Sequence, residues 1–162
     1  MKAVSESTWS FQMIIFFMLI FACFLTLILS YNKAYIIKNR ALTIIEKYEG
    51  VTKESIEIIN GFMYEKGYNT TGKCAAGWYG AINLDGDAEK SDGTKKYYYC
   101  FKEYNKKNNA KNQNNQKGLI YYQIQVFYKF NLPIIGNIAI YNISGETKSF
   151  IGADEEKRIY QD

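Results

Sequence analysis

Histidine is absent from all 162 residues. Its absence removes the commonest general base near neutral pH and the commonest side-chain metal ligand. Proline occurs once, and of the 20 basic residues only Arg40 and Arg158 are arginines. A nucleic-acid surface should show arginine and a concentrated basic stripe. This chain has neither, so no nucleic-acid partner is expected. Lys, Asn, Ile, Tyr and Phe are frequent, and all have A/T-rich codons. That points to a low-GC genome and makes the lysine- and asparagine-rich runs compositional. No Ser or Cys has a base at a telling spacing, so the expectation is a non-catalytic chain without a cofactor.

What the chain does have is one long uncharged run. Residues 11–29, FQMIIFFMLIFACFLTLIL, are broken only by Gln12 and Thr26. At 1.5 Å per residue, the stretch from Trp9 to Tyr31 covers the roughly 30 Å of a hydrocarbon core. Trp and Tyr are the residues expected at headgroup depth. A cleavable signal peptide would have an apolar region of about 7–15 residues and a small-residue cleavage site. Here the run is longer, and no such site follows Leu29. Ile20-Phe21-Ala22-Cys23 approaches a lipid-modified cysteine, but cleavage there would leave apolar residues 24–29 at the mature terminus. The reading is an uncleaved signal-anchor: a short tail (1–8), a transmembrane helix (9–31) and one domain (32–162).

Cys74 and Cys100 form an even pair in that domain, while Cys23 lies within the span. In an exported domain the pair implies one disulfide closing a loop of about 27 residues, worth roughly 3 kcal/mol. The alternative is two reduced, buried cysteines in a cytosolic domain.

The helix is expected to continue past Tyr31. In residues 33–48, KAYIIKNRALTIIEKY, apolar positions recur at 34, 37, 41, 44, 45 and 48, the spacing of one helical face. Gly50 is the expected stop and Thr52 the expected cap of a second helix, with Ile56, Ile59, Phe62 and Met63 on one face. Gly67 ends that helix. Beyond Gly67 the period becomes two. Residues 97–101 and 119–130 read as strands, the latter with Ile120, Tyr122, Ile124, Val126 and Tyr128 alternating against Tyr121, Gln123, Gln125, Phe127 and Lys129. Residues 104–118, polar and low in complexity, read as a mobile loop. Two last strands, 138–143 and 147–151, are expected to form a hairpin across Ser144-Gly145-Glu146. The fold class is therefore α+β, with a long N-terminal helix, half in lipid, packed on a small antiparallel sheet.

In this layout the chain resembles the small single-pass, pilin-like (TadE-like) proteins of tight-adherence pilus and secretion systems in low-GC Gram-positive bacteria. Two stretches carry the resemblance. One is residues 38–46, KNRALTIIE, which includes Glu46 and is closed by Gly50. The other is Leu132-Pro133-Ile134-Ile135-Gly136 followed by Ile143-Ser144-Gly145-Glu146-Thr147-Lys148. The resemblance implies assembly: apolar helices packing side by side, heads facing outward, and as partners the bilayer, other pilin-like subunits and membrane proteins of the assembly machinery. Prepilin-type processing would place its glutamate at Glu6 and its cleavage after Met1, so an uncleaved accessory component is expected. Lys33, Lys38 and Arg40 after the span favour a cytoplasmic domain by the positive-inside rule. The cysteine pair and the resemblance favour an outside one, with the N-terminus cytoplasmic. The outside is taken here.

The remaining motifs are weaker. Asp85-Gly86-Asp87-Ala88-Glu89 alternates carboxylates as a calcium loop does, but Lys90 and Lys96 stand where that loop needs glycine and glutamate. A solvated turn is the expectation. Asn69-Thr70-Thr71 and Asn142-Ile143-Ser144 match a glycosylation sequon, as an asparagine-rich chain does by chance. Tyr97-Tyr98-Tyr99 could stack on a ligand, but alternating strand aromatics more often fill a core. Against the pilin-like reading stand two others, a tethered extracellular binding head and a cytoplasm-facing anchor that recruits partners.

Overall fold

The computed structural model describes residues 2–106, 119–132, 136–151 and 158. Helix α1 runs without a break from Lys2 to Lys47. Its end is a Schellman turn. The Gly50 amide donates to the Ile45 carbonyl and the Glu49 amide to Glu46, with Glu49 itself in the left-handed region at φ 53°. Helix α2, Lys53–Glu65, begins at Thr52, whose hydroxyl accepts from the Ser55 amide while the Ser55 hydroxyl accepts from the Thr52 amide. Thr52 is thus the cap that the sequence predicts, closed by serine rather than glutamate. Gly67, at φ 56°, and Tyr68 close α2 with a second Schellman turn.

Eight strands follow: β1 Gly72–Lys73, β2 Tyr79–Ala81, β3 Ala88–Lys90, β4 Lys96–Tyr97, β5 Tyr99–Lys106, β6 Leu119–Leu132, β7 Gly136–Glu146 and β8 Phe150–Ile151. β1 and β4 form a two-stranded ribbon. The rest make a six-stranded sheet in the order β3-β2-β5-β6-β7, with β8 also on β6, and every pairing is antiparallel. The α+β expectation, a long helix packed on a small antiparallel sheet, is met.

The periodicity of α1 translates directly into burial. Ala34, Ile37, Ala41, Ile44 and Ile45 are buried, in one cluster with Ile56, Ile59 and Met63 of α2 and with Tyr99, Phe101, Tyr122, Ile124 and Val126 of the sheet. Each fully buried isoleucine contributes about 1.5–3 kcal/mol. The opposite face of the sheet carries a second cluster of Cys74, Trp78, Tyr97, Cys100 and Phe127. The alternation read along β6 is the division between these two faces.

Two expectations need correction. The polar run does not begin a loop at Tyr104: Tyr104, Asn105 and Lys106 complete β5, and Tyr104 stacks on Tyr121 of β6 with ring centroids 5.2 Å apart. Cross-strand aromatic pairing extends the strand; residues 107–118 lie outside the described residues. Nor does a hairpin form across Ser144-Gly145-Glu146. β7 continues through Glu146, and the chain then rejoins the same neighbour, β6, as β8 (Glu146 opposite Gln123, Phe150 opposite Ile120). Thr147 bridges the jog: its amide donates to the Tyr122 carbonyl, and its hydroxyl accepts from the Tyr122 amide.

A side chain substitutes for backbone at one point in the sheet. Continuing the β5–β6 register beyond Tyr99–Val126 would set Tyr98 against Phe127. The Tyr98 amide instead donates to Ala81. The buried Tyr68 hydroxyl takes its place, accepting from the Phe127 amide at 3.0 Å and donating to the Phe127 carbonyl. Burial drives the Tyr68 phenol well above its usual range, so it serves as a neutral donor and acceptor. Tyr68→Phe should strand both Phe127 groups and cost about 1–3 kcal/mol for each. Urea unfolding of the detergent-solubilised chain measures it, and an unchanged midpoint would refute this account.

Candidate functional site

The residues singled out in the sequence lie chiefly on the stem of α1 and at its junction with the head. Trp9, at the distal end of the apolar run, is 68% exposed, and no residue of the most apolar window of the helix is buried. Phe16, Phe17, Phe21 and Phe24 all stand open. An exposed apolar surface of this extent exceeds the few hundred Å² that a water-soluble monomer tolerates. α1 is long and apolar enough to span a membrane, as a single-pass anchor requires.

At the other end of the run the stem meets the sheet. The Tyr31 ring lies 6.2 Å from Tyr35 and, edge-on, 5.8 Å from Tyr128 of β6, which in turn stacks on Tyr141 of β7 at 5.6 Å. Lys33 Nζ donates to the Gly67 carbonyl at 2.8 Å, tying α1 to the end of α2.

Further along α1, residues 38–46 meet the second part of the other resemblance-bearing stretch, residues 143–148. Glu46 Oε1 accepts from the Lys148 amide at 2.9 Å, across 102 residues of sequence. Gly145 faces α1 so closely that an added Cβ would lie 2.9 Å from Leu42 Cδ1 and 3.0 Å from Lys38 Cδ. Thr147 is buried on Tyr122. Glu146 is exposed at the end of β7, Gly136 opens β7 opposite Leu132, and Pro133 lies outside the described residues. Glu46, Gly145 and Lys148 are therefore the seam between stem and sheet, and Thr147 beside them is held within the sheet. Gly145, read as a turn residue, is there for close approach.

Cys74 and Cys100 are joined, with Cα atoms 5.7 Å apart, and both are buried beneath Trp78, Tyr97 and Phe127. Gly80 makes room for them: a Cβ there would lie 2.7 Å from the Tyr97 ring and 2.8 Å from Cys74 Sγ. Tyr97 and Tyr99 are core residues. Among the described residues no three His, Cys, Asp or Glu side chains converge on a metal position. Ala88 and Glu89 of the carboxylate run lie in β3, and the Gly86 carbonyl accepts from Asn60 Nδ2 at 3.1 Å. Of the sequon residues, Asn69 and Asn142 are exposed while Thr70 is buried.

The sequence did not reveal one buried ionic group. Glu103 of β5 accepts from Arg158 at 2.8 Å and from the Tyr122 hydroxyl, with both charged side chains nearly inaccessible. Burial and then the Glu103 hydrogen bond hold the Tyr122 phenol far above its usual range. Only arginine's rarity in the sequence marked Arg158. Tyr68 did carry a signal: an apolar residue directly after the glycine of a helix stop.

No family model, curated protein or solved structure matches the chain.

Two outcomes are expected from denaturant titration of the solubilised chain. Replacing both Cys74 and Cys100 by serine should remove about 3 kcal/mol of stability. Gly145→Val should cost about 1–3 kcal/mol by prying α1 from β7, whereas Gly145→Ala should cost little, because the ends of Leu42 and Lys38 can swing aside. Equal effects of Val and Ala would refute the close-approach role.

Proposed function

We propose that the chain is a non-catalytic, membrane-anchored, pilin-like component of a cell-envelope pilus or secretion assembly, with its head outside the cell. One observation supports this above the rest: a single uninterrupted helix has its first half bare and apolar and its second half buried as the spine of a small head. Such a stem transmits position. Whatever packs against residues 9–31 fixes the orientation of the sheet, because no hinge separates the two halves. The bare surface, lined by Phe16, Phe17, Phe21 and Phe24, suits lipid and equally suits the apolar helices of neighbouring subunits. The Cys74–Cys100 disulfide favours an oxidising compartment and hence the outside. The seam residues Glu46, Gly145 and Lys148 hold stem to head in this reading and perform no chemistry.

Photo-crosslinking in the native membrane tests the proposal. A benzoylphenylalanine at Phe17, 72% exposed on the stem, should yield adducts with a second apolar-helix subunit or a platform membrane protein. Adducts with lipid alone, together with recovery of a soluble ligand on the head, would overturn it in favour of a tethered binding head.

A further inference from the structure

The end of the sheet nearest the stem has no assigned role, and its position and chemistry point one way. β6 runs antiparallel to α1. Tyr31 meets Tyr128, Lys38 and Leu42 meet Gly145 beside Ile124, and Gly50 lies beside the Tyr122 hydroxyl. Each residue of β6 beyond Tyr128 therefore steps toward the apolar half of the helix. From Tyr128 to Leu132 the strand advances about 13 Å, which equals the rise of about nine helical residues. The ends of β6 and β7 thus reach past Tyr31 to the level of the apolar run.

α1 shows a matching asymmetry there. Ala22, Cys23, Thr26, Leu27 and Ser30 are half-buried while Phe21, Phe24, Leu25, Ile28 and Leu29 are exposed. The half-buried positions continue the stripe of Ala34 and Ile37, on the side of the helix where β6 packs.

The composition of these strand ends suits an interface. Residues 128–132 and 136–141 carry one charge, Lys129. Ile140 and Tyr141 are 48% and 51% exposed, and Tyr31, at 42%, sits on the same aromatic ladder. Two open grooves flank Phe127. One is bordered by Lys33 and Lys129, the other by Lys73 and Lys96 together with Ile140 and Tyr141. Tyrosine rings with lysines reaching outward around them are what a bilayer surface selects. A long edge strand with almost no charge would invite aggregation in water.

We propose that the head docks on the bilayer that holds its own stem, the β6–β7 end entering the headgroup layer and the surrounding lysines pairing with anionic lipid phosphates. The inference rests on the reading of α1 as a membrane anchor. The head would then lie against the membrane rather than stand clear of it, with its disulfide face tilted toward the surface.

The test uses the full chain in liposomes of phosphatidylcholine with phosphatidylglycerol, the disulfide intact and Cys23 replaced by serine. A fluorophore is placed at one of three positions by Tyr141→Cys, Ile151→Cys or Phe17→Cys. Ile151 is exposed at the opposite end of β6, beside Leu119. Lipids spin-labelled near the headgroup should quench Tyr141→Cys severalfold more than Ile151→Cys. Lys129→Gln should shift the docked-to-undocked ratio about fivefold toward undocked, the usual effect of one lysine at an anionic surface. Equal, weak quenching at 141 and 151 with strong quenching at 17 by deep spin labels would overturn the docking and leave the anchor standing. Absence of quenching at 17 would overturn both. Disulfide crosslinking of unlabelled Tyr141→Cys to a second copy, with no headgroup quenching of the labelled form, would also overturn the docking.

Discussion

One helix here carries two kinds of surface, and the rest of the structure follows from how they are divided. The first half of α1 leaves its phenylalanines and most of its leucines and isoleucines exposed, and is long and apolar enough to span a membrane. The second half is amphipathic and buries Ala34, Ile37, Ala41, Ile44 and Ile45 against β6 and α2. Nothing in the backbone marks the change, since neither glycine nor proline interrupts the helix before its Schellman stop at Gly50. The tyrosines at the transition do mark it: Tyr31 belongs to the stem's terminus and to the sheet's aromatic ladder at once.

The head is small, and it closes its two faces by different means. The helix side of the sheet is sealed by aliphatic packing from α1 and α2. The other side has no helix among the described residues, and there a disulfide with Trp78, Tyr97 and Phe127 fills the space. The strands in that region are two or three residues long and hold few ladder hydrogen bonds of their own. A covalent link and a tyrosine hydroxyl bonded to both backbone groups of Phe127 stand in for them. The Glu103–Arg158 pair under Tyr122 fastens a residue from the far C-terminus to the core. Removing one partner of such a pair is costly because the other charge stays buried.

The stem and its buried stripe were legible because a helix of this length repeats its signal many times, and six positions from 34 to 48 agree on one face. β6 was legible for the same reason at period two. The short strands β1–β3 give no periodicity, being two or three residues set among turn-forming glycine and aspartate. Tyr104–Lys106 looked like the start of a polar loop because the residue that makes them a strand, Tyr121, is distant in sequence. Gly145 shows the same limit more sharply. Glycine is used both for turns and for close approach, and only Lys38 and Leu42, more than a hundred residues earlier, distinguish the two uses.

That ambiguity bears on what the resemblance-bearing residues do. Their weak motifs, a glutamate late in the helix and a glycine-containing run near the C-terminus, looked like turn chemistry when read separately. In space they are one contact, Glu46 against the Lys148 amide with Gly145 lying against Leu42. A chain could keep these residues for mechanical reasons alone: they set the angle and register at which the long helix grips the sheet. In a structural component that angle is the functional quantity, since it decides where the head lies relative to the membrane and to neighbouring stems. The contacts that join the two ends of this chain's sequence are concentrated along that seam.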